Sequence, residues 1–426
     1  MHHHSLADWL AWQETLNPAE IELGLERIRK VAGQLALEPP SGAVFVVTGT
    51  NGKGSCASFI DAMLRSGGVR TGLYTSPHLI KYNERIRIAG APVDDEALVK
   101  AFEAIEAVRC ETPLTFFEYG TLAALKLFTE RECDAWVLEV GLGGRLDAVN
   151  IVDADFSVIT TVDIDHCEWL GNDLESIAFE KAGIMREAHP AFFGDRQVPA
   201  AIVAAADQLN SDLSLLGRDF AYVRHADSWS WRSASVTLDT LPLPHGAGEE
   251  QLRNISTALA VINAFDPHLI ADKSAVVDAI RLHGLPGRFQ IHTDEYEWIL
   301  DVAHNRQSAA ALLAKLEQLP QAEGVSTIVV IGMLADKQAE EFVSQLAVLA
   351  DRWITCDTAG ARGSSARQLA ERIEPVVDAP VLAVGSVADS LEQARRFASP
   401  GDRILICGSF TVVGPALEQL GLYSPC

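Results

Sequence analysis

The segment that most restricts the fold is VFVVTGTNGKGS, residues 44–55. An apolar run leads through a glycine-rich turn into a helix-forming sequence, GKGSCASFIDAMLRSGG. A buried strand that enters a helix in this way is typical of open parallel sheets, where glycines let backbone N–H groups approach a phosphate. We therefore predict an α/β fold in which the turn binds a nucleotide phosphate through Gly49, Thr50, Asn51, Gly52, Lys53, Gly54 and Ser55.

The loop departs from the common pattern G-x-x-x-x-G-K-[ST] at both ends, because Val47 replaces the first glycine and Gly54 follows the lysine. The Lys53 side chain would still reach the outer phosphates, and a hydroxyl would face a metal ion. A glycine-rich turn with an exposed lysine is the alternative. The strand before the loop and the helix after it argue against that alternative.

Strands and helices alternate along most of the chain, which indicates a parallel, doubly wound sheet. The chain starts with a helical segment that is broken at Asn17-Pro18, and residues 213–245 contain short antiparallel strands. A second alternating series follows GLPGRF at residues 284–289. We predict two domains. Residues 1–285 form a P-loop ATPase domain with a small antiparallel elaboration, and residues 286–426 form a Rossmann-like α/β domain without a phosphate loop of its own.

Composition narrows the class of protein. The formal net charge is −24, from 34 basic and 58 acidic residues, which argues against nucleic-acid binding. No apolar run approaches the ~20 residues of a membrane span, and the N-terminal sequence lacks the features of a secretory signal. The seven cysteines show no paired spacing, so we expect reduced thiols and a cytoplasmic protein that binds no membrane.

Acidic side chains follow several of the strands, at the edge of the sheet where ligands bind. DAWVLEVG places Glu139 at the end of an apolar strand, as in nucleotide hydrolases that hold magnesium there. Further candidates follow two later strands: Asp163, Asp165 and His166 in VITTVDIDH, and Asp301 and His304 in WILDVAHN. Magnesium prefers oxygen ligands, so chemistry alone favours a structural role for the histidines.

The sequence resembles the bacterial folylpolyglutamate synthase/dihydrofolate synthase family, within the Mur ligase superfamily. The matching stretches occur in the family's order and span nearly the whole chain: IELGLERI, GTNGKGS, TSPHL, NERI, TFFE, LEVGLGGRLDAVN, DIDH with LG, EKAGI, RNISTALA, GRF, DVAHN and CGSF. The resemblance implies an ADP-forming amide ligase. ATP would phosphorylate the carboxylate of dihydropteroate or a folate, and the amine of L-glutamate would then attack the acyl phosphate.

The resemblance also assigns site residues. It implies that Lys53 contacts the outer phosphates and acts in catalysis with Lys181 and His304, the last near the incoming glutamate. Ser76, Glu139 and His166 would bind magnesium, and Lys181 would be carbamylated and help to hold a second ion. The alternative for Lys181 is a surface charge beside Glu180. Nucleotide contacts would come from Asn254, Arg288 and Asp301, and the pterin pocket from Thr115, Phe117, Arg145 and Asp147.

Two alternatives remain open at this point. One is a Mur ligase that joins an amino acid to a cell-wall precursor, although only some 40 residues precede the loop, too few for the usual nucleotide-sugar domain. The other is a nucleotide-dependent switch, which DVAHN in a second domain disfavours. The sequence leaves open how the activity divides between dihydropteroate and folates. We expect a monomer.

Overall fold

The structure is a computed structural model that describes residues 5–17, 21–244, 246, 248–282, 284–320, 324–360 and 362–423. Within these residues the chain forms two compact units. The first takes the described residues within Met1–Ser76, Tyr82–Leu243 and Gln251–His283, and the second takes those within Pro77–Lys81, Pro244–Glu250 and Gly284–Cys426. Two short segments therefore pack with the second unit although they precede residue 285 in the chain.

The first unit is built on an eight-stranded sheet in the order β4-β3-β2-β5-β1-β6-β7-β8. The strands from β2 to β8 in this order pair in parallel, and β3 and β4 form an antiparallel edge. The predicted parallel, doubly wound sheet is confirmed. The strands are β1 (Ala43–Thr48), β2 (Thr71–Tyr74), β3 (Ile86–Ile88), β4 (Ala91–Pro92), β5 (Ala135–Glu139), β6 (Phe156–Ile159), β7 (Pro190–Phe193) and β8 (Asp212–Leu215).

Helices cover this sheet and begin at recognisable caps. The side chain of Thr115 accepts a hydrogen bond from the backbone of Glu118, and Asp173 accepts one from Ser176, so each caps a helix. The helices are α1 (Leu6–Leu16), α2 (Glu26–Ala32), α3 (Lys53–Ser66), α4 (Asp95–Arg109), α5 (Phe116–Glu130), α6 (Cys167–Leu170), α7 (Leu174–Ala182), α8 (Ala200–Leu209), α9 (Glu249–Phe265), α10 (Pro267–Ala271) and α11 (Lys273–Leu282), with 3₁₀ turns at Tyr82–Arg85 and Ala148–Ile151.

The predicted antiparallel elaboration is also confirmed. Strands β9 (Phe220–Arg224), β10 (Ser228–Ser233) and β11 (Thr237–Pro242) form a three-stranded antiparallel sheet. Trp229 and Trp231 of β10 are fully buried, and their indole N–H groups donate to the backbone oxygens of Pro242 and Ser256. This small sheet therefore shares a core with α9, which carries Ser256.

The second unit has a six-stranded sheet in the order β12-β13-β17-β14-β15-β16, parallel except for β12. Its strands are β12 (Gln290–Thr293), β13 (Glu297–Asp301), β14 (Thr327–Ile331), β15 (Arg352–Cys356), β16 (Val381–Gly385) and β17 (Arg403–Cys407). Its helices are α12 (Arg306–Leu316), α13 (Ala339–Leu346), α14 (Ala366–Ile373), α15 (Val387–Phe397) and α16 (Phe410–Gln419), with a 3₁₀ turn at Glu374–Val376. The predicted C-terminal α/β fold is confirmed.

None of the helices in the described part of the chain has the length and apolar character that a membrane crossing needs.

Candidate functional site

The phosphate loop lies where the sequence predicts it, between buried strand β1 and helix α3. Gly52 takes a left-handed conformation (φ 86°) and begins the helix. The Lys53 ammonium donates to the backbone oxygens of Gly49 and Thr50, at 3.0 and 3.3 Å. The lysine therefore lies across the loop with its charge at the helix N-terminus, where the helix dipole and backbone N–H groups also favour an anion.

The end of the neighbouring strand β6 fixes the shape of the loop. The backbone N–H of Thr50 donates to the Thr161 carbonyl at 2.8 Å, and that of Asn51 donates to the Thr161 hydroxyl at 3.0 Å. The Thr160 hydroxyl donates to the Asn51 carbonyl at 2.7 Å. Sequence reasoning missed both threonines. Their position at the carboxyl end of a strand, beside the predicted acids, is the signal that could have found them.

Asn254 from helix α9 packs directly against the loop. A Cβ atom placed on Gly52 would lie 2.3 Å from Oδ1 of Asn254, so only glycine allows this approach. Asn254 is buried. The structure thus brings Asn254, which the resemblance predicts to contact the nucleotide, against the loop from a distant part of the sequence.

We expect Gly52→Ala to weaken ATP binding at least tenfold, because the new methyl group must displace Asn254 and the backbone must keep a strained φ. Gly68→Ala is a matched control, since Gly68 has a similar φ of +81° and no atom within 4 Å of the position that a Cβ atom would take. The control carries only the conformational strain, roughly 1–2 kcal/mol. ATP affinity and thermal unfolding of both variants check this, and equal affinities would contradict it.

Glu139 ends β5, the strand next to β1, and its carboxylate faces the loop. Oε2 accepts a hydrogen bond from the backbone N–H of Ser76 at 2.9 Å. A Cβ atom on Gly54 would lie 3.4 and 3.5 Å from the two carboxylate oxygens. The side chain is buried. The structure therefore brings two predicted metal ligands, Ser76 and Glu139, together at the start of helix α3.

His166 follows β6 and begins the short helix α6 in a left-handed conformation (φ 53°). Its backbone N–H donates to Oδ1 of Asp165 at 2.9 Å, and its Nε2 lies 4.0 Å from the same oxygen. Among the residues that the structure describes between 5 and 423, no three His, Cys, Asp or Glu side chains form a metal-binding group. A metal site here would have to use a hydroxyl such as that of Ser76, or a modified side chain.

Lys181 is 3% exposed near the end of α7, so it is not the surface charge of the alternative interpretation. Burial, together with the nearby Lys53 cation, lowers the pKa of its amine to about 7, and Asp165 opposes the shift. Burial therefore favours the neutral amine. Its charge state depends on both the phosphate-loop lysine and the acidic segment after β6.

The four residues predicted to form the pterin pocket all lie in the first unit but differ in burial and in their contacts. Thr115 is buried as the cap of α5, and the Phe117 ring packs on Gly141, where a Cβ would come within 2.6 Å of it. Asp147 is buried and accepts hydrogen bonds from the backbone of Leu142 and Val149. Phe117 thus packs on the loop of residues 141–147, which also carries Asp147.

Burial raises the pKa of Asp147 to about 7, against the opposing effect of its backbone N–H donors and of Lys53. Arg145, from the same loop, is exposed. Its guanidinium pairs with Glu180 at 2.8 Å and lies 5.5 Å above the Phe179 ring. This loop therefore carries a carboxyl group that titrates near neutral pH and a guanidinium held against helix α7.

In the second unit, the Asp301 carboxylate accepts hydrogen bonds from the backbone of Phe289 and Ala303, at 2.9 and 2.8 Å. Lys315 lies 3.4 Å from it and 2.8 Å from Glu250. Sequence reasoning does not single out this buried lysine, because its spacing on α12 is that of an ordinary helix residue.

Arg288 and His304 both lie near one aromatic ring. The Arg288 guanidinium is 5.2 Å from the centre of the Phe410 ring, and the His304 ring is 6.4 Å from it. Nδ1 of His304 donates to the Val302 carbonyl at 2.9 Å, which leaves Nε2 to act as an acceptor when the ring is neutral. Phe410 ends the CGSF stretch that the resemblance includes. An aromatic residue in that stretch is the feature of the sequence that could have indicated a ring beside Arg288 and His304.

Comparisons with known proteins show similarity along both units of the chain. The Mur ligase middle domain matches residues 47–219, and the Mur ligase, glutamate ligase domain matches residues 287–410. The chain is 40% identical over 415 residues to a dihydrofolate synthase/folylpolyglutamate synthase of Escherichia coli K12, covering 97% of this chain and 95% of that protein.

Two solved structures are similar over 98% of this chain and 98% of theirs, each at 39% identity. One is E. coli FolC in complex with DHPP and ADP, with a TM-score of 0.91. The other is a bifunctional folylpolyglutamate synthase/dihydrofolate synthase with Mn, AMPPNP and L-glutamate bound, with a TM-score of 0.89.

Proposed function

The chain belongs to the dihydrofolate synthase/folylpolyglutamate synthase family of Mur ligases, and on that premise we propose that it joins L-glutamate to dihydropteroate and adds further glutamates to folates. Each addition converts ATP to ADP and phosphate. The observation that carries the proposal is the phosphate loop with Lys53 across it and Glu139 against Gly54, in a chain similar to these ligases along nearly its whole length. The cell-wall alternative lacks comparable support.

The reaction needs a carboxylate to become an electrophile, because its own charge repels an amine. Transfer of the γ-phosphoryl group gives an acyl phosphate, and attack by the glutamate amine then expels phosphate and forms the amide. Lys53 and the N-terminus of α3 neutralise charge on the transferred group, so positioning and electrostatics carry most of the catalysis. Gly49–Ser55, Asn254, Arg288 and Asp301 bind the nucleotide in this proposal.

Magnesium would be held by the Ser76 hydroxyl, the Glu139 carboxylate, His166 and a modified Lys181, and would neutralise phosphate charge. The oxygen donors of Ser76 and Glu139 suit magnesium, whereas the His166 nitrogen is a less usual ligand for this ion. The Ser76 backbone donates to Glu139, which keeps a residue with a hydroxyl beside a carboxylate oxygen. The set as a whole has too few carboxylates for two ions unless Lys181 contributes one.

Lys181 meets the chemical conditions for carbamylation. A neutral amine attacks carbon dioxide, and the resulting carbamic acid loses a proton to give a carbamate anion. The pKa near 7 supplies the neutral amine, and the neighbouring Lys53 cation favours the anion once it forms. We therefore assign Lys181 as a carbamylated lysine that helps to hold a second magnesium ion.

The substrate pocket is assigned to Thr115, Phe117, Arg145 and Asp147. The partly exposed Phe117 ring offers a stacking surface for a pterin, and Asp147 offers oxygens to ring N–H groups. His304 is assigned to the incoming glutamate. We assign residues 1–285 to a Mur-ligase-like ATP-binding domain and residues 286–426 to the glutamate-ligase domain, which contributes Arg288 and Asp301 to the nucleotide site. We expect a cytoplasmic monomer.

The test is ADP release by the purified protein with ATP and magnesium, offering dihydropteroate and tetrahydrofolate in separate reactions. We expect release with each acceptor only when L-glutamate is present. Release without glutamate would instead support a nucleotide-dependent switch. A requirement for a nucleotide-sugar peptide as acceptor would support the cell-wall alternative.

A further inference from the structure

The C-terminal end of α7, just beyond Lys181, is tied down by one arginine. The Nη1 group of Arg186 donates to the carbonyls of Ile184 and Met185, at 3.0 and 3.2 Å, with a longer contact of 3.5 Å to Gly183. These carbonyls follow α7, which ends at Ala182, and a cation just past the C-terminus of a helix also complements the helix dipole. The donor belongs to the same chain segment, so the backbone that follows α7 is held in one geometry.

The other side of the same guanidinium holds the loop that follows Asp147. Nη2 of Arg186 lies 2.9 Å from Oδ1 of Asn150 and 3.3 Å from the Val152 carbonyl. Its Nε donates to Asp153, at 2.5 Å, on the exposed side of the group. One planar side chain thus bridges two backbone segments that are distant in sequence.

Asn150 completes the bridge from the loop side. Its Nδ2 group donates to the carbonyls of Arg145 and Gly183, each at 3.0 Å. Asn150 is buried. Since Gly183 follows Lys181 by two residues, and Arg145 and Asp147 lie shortly before Asn150, the pair Asn150–Arg186 connects the predicted substrate loop to the helix of Lys181.

The helix end is also fixed to the central sheet. The Ser157 hydroxyl on β6 donates to the Ile184 carbonyl at 2.9 Å, and the Ser211 hydroxyl donates to the Arg186 carbonyl at 2.9 Å. Strand β6 leads to Thr160 and Thr161, which hold the phosphate loop. The segment that follows Lys181 and the phosphate loop are therefore both hydrogen-bonded to β6 or to the threonines that follow it.

We propose that Arg186 and Asn150 are positioning residues for the ligase reaction. They hold the substrate loop (residues 141–147, with Arg145 and Asp147) at a fixed position relative to Lys181. This inference rests on the proposed function. Neither side chain touches the reacting atoms in this proposal. A catalytic arrangement loses up to about a hundredfold in rate when its groups move by about 1 Å, so a loss of the bridge should act on the chemical step and on the acceptor, and leave nucleotide binding intact.

The experiment compares Arg186→Ala and Asn150→Asp with Asp153→Asn as the matched control. Asn150→Asp removes both donors to Arg145 and Gly183 yet keeps the oxygen that faces Arg186, so it tests the bridge if the arginine variant fails to fold. The control neutralises only the exposed partner of Arg186, since the Asp153 side chain is 90% exposed, and leaves an oxygen that can still accept from Nε. Each variant is assayed for kcat, for KM of dihydropteroate and for the Kd of ADP, well below its unfolding temperature.

For Arg186→Ala and Asn150→Asp we expect kcat/KM for dihydropteroate to fall about ten- to a hundredfold, with the Kd of ADP within about twofold of the parent. Asp153→Asn should match the parent within the same margin. Added guanidinium ion, compared with potassium chloride at equal ionic strength, should restore part of the activity of Arg186→Ala. A variant that is only destabilised would instead lose further activity, because guanidinium is a denaturant.

Two results would overturn the inference. One is an unchanged kcat/KM for dihydropteroate in both variants. The other is a loss of ADP affinity as large as the loss of kcat/KM, which would indicate general disruption of the fold. An inactive parent protein would instead refute the proposed function, and the positioning role with it. An active parent with insensitive variants would refute the positioning role alone.

Discussion

Lys53→Ala is expected to reduce glutamate-dependent ADP release by a factor of about 10² or more while the protein stays folded, because the charge on the transferred phosphoryl group would go uncompensated. The ammonium donates to the loop carbonyls of Gly49 and Thr50, within its own turn of chain, so its loss leaves the packing of β1 and α3 in place. Steady-state ADP release and thermal unfolding of the variant measure the two effects separately.

Lys100→Ala is a suitable control for Lys53→Ala. Lys100 pairs with Glu96 on the exposed face of α4, where solvent screens the pair and little stability depends on it. Its replacement should leave turnover unchanged. A folded Lys53→Ala protein with normal turnover would remove the phosphate-loop assignment.

Local patterns explain why the fold and the loop could be predicted from the sequence. Each of three features is recognisable from a short continuous stretch: the apolar run of β1, the glycines of the loop and the helix-forming residues of α3. The structure places β1 at Ala43–Thr48 and α3 at Lys53–Ser66. Glu139 could be placed at the edge of the sheet because parallel strands end at a common edge. These features depend on neighbours in the sequence.

The remaining features depend on contacts between distant segments. Nothing near Gly52 in sequence indicates that Asn254 packs against it, and the resemblance alone suggested that residue. In the same way, the local sequence EKAGI is compatible with a surface helix, and only the packing of α7 shows that Lys181 is buried near Lys53. The Asn150–Arg186 bridge has no sequence pattern at all, since it joins backbone carbonyls that every residue carries.

The burial of Lys181 leads to the second prediction with a large effect. If the side chain is a carbamate, Lys181→Ala should lose activity by a factor of about 10² or more, because an anion that helps to hold magnesium disappears. A short carboxylic acid such as acetate should restore part of the activity by occupying the vacated space. Lys181→Arg should remain inactive, since it keeps a cation where an anion is required.

The matched control is Lys126→Arg on α5, where the lysine pairs with Glu130 near the surface. That exchange should change stability by no more than roughly 0.5 kcal/mol and leave turnover intact. The comparison separates a general intolerance of arginine on a helix from a specific need for a carbamate at residue 181.

The pH dependence of the modification has a definite sign. Burial lowers the pKa of the Lys181 amine to about 7, so the ammonium form prevails below that pH and cannot attack carbon dioxide. Carbamate formation should therefore fall as the pH drops through this value, and ¹³C NMR with labelled bicarbonate would follow it directly, without reliance on enzyme activity. Added bicarbonate should shift the loss to lower pH.

A crystal structure at high magnesium and bicarbonate should show three atoms beyond Nζ of Lys181. Plain lysine density, together with an active Lys181→Arg variant, would refute the carbamate while leaving the ligase assignment in place.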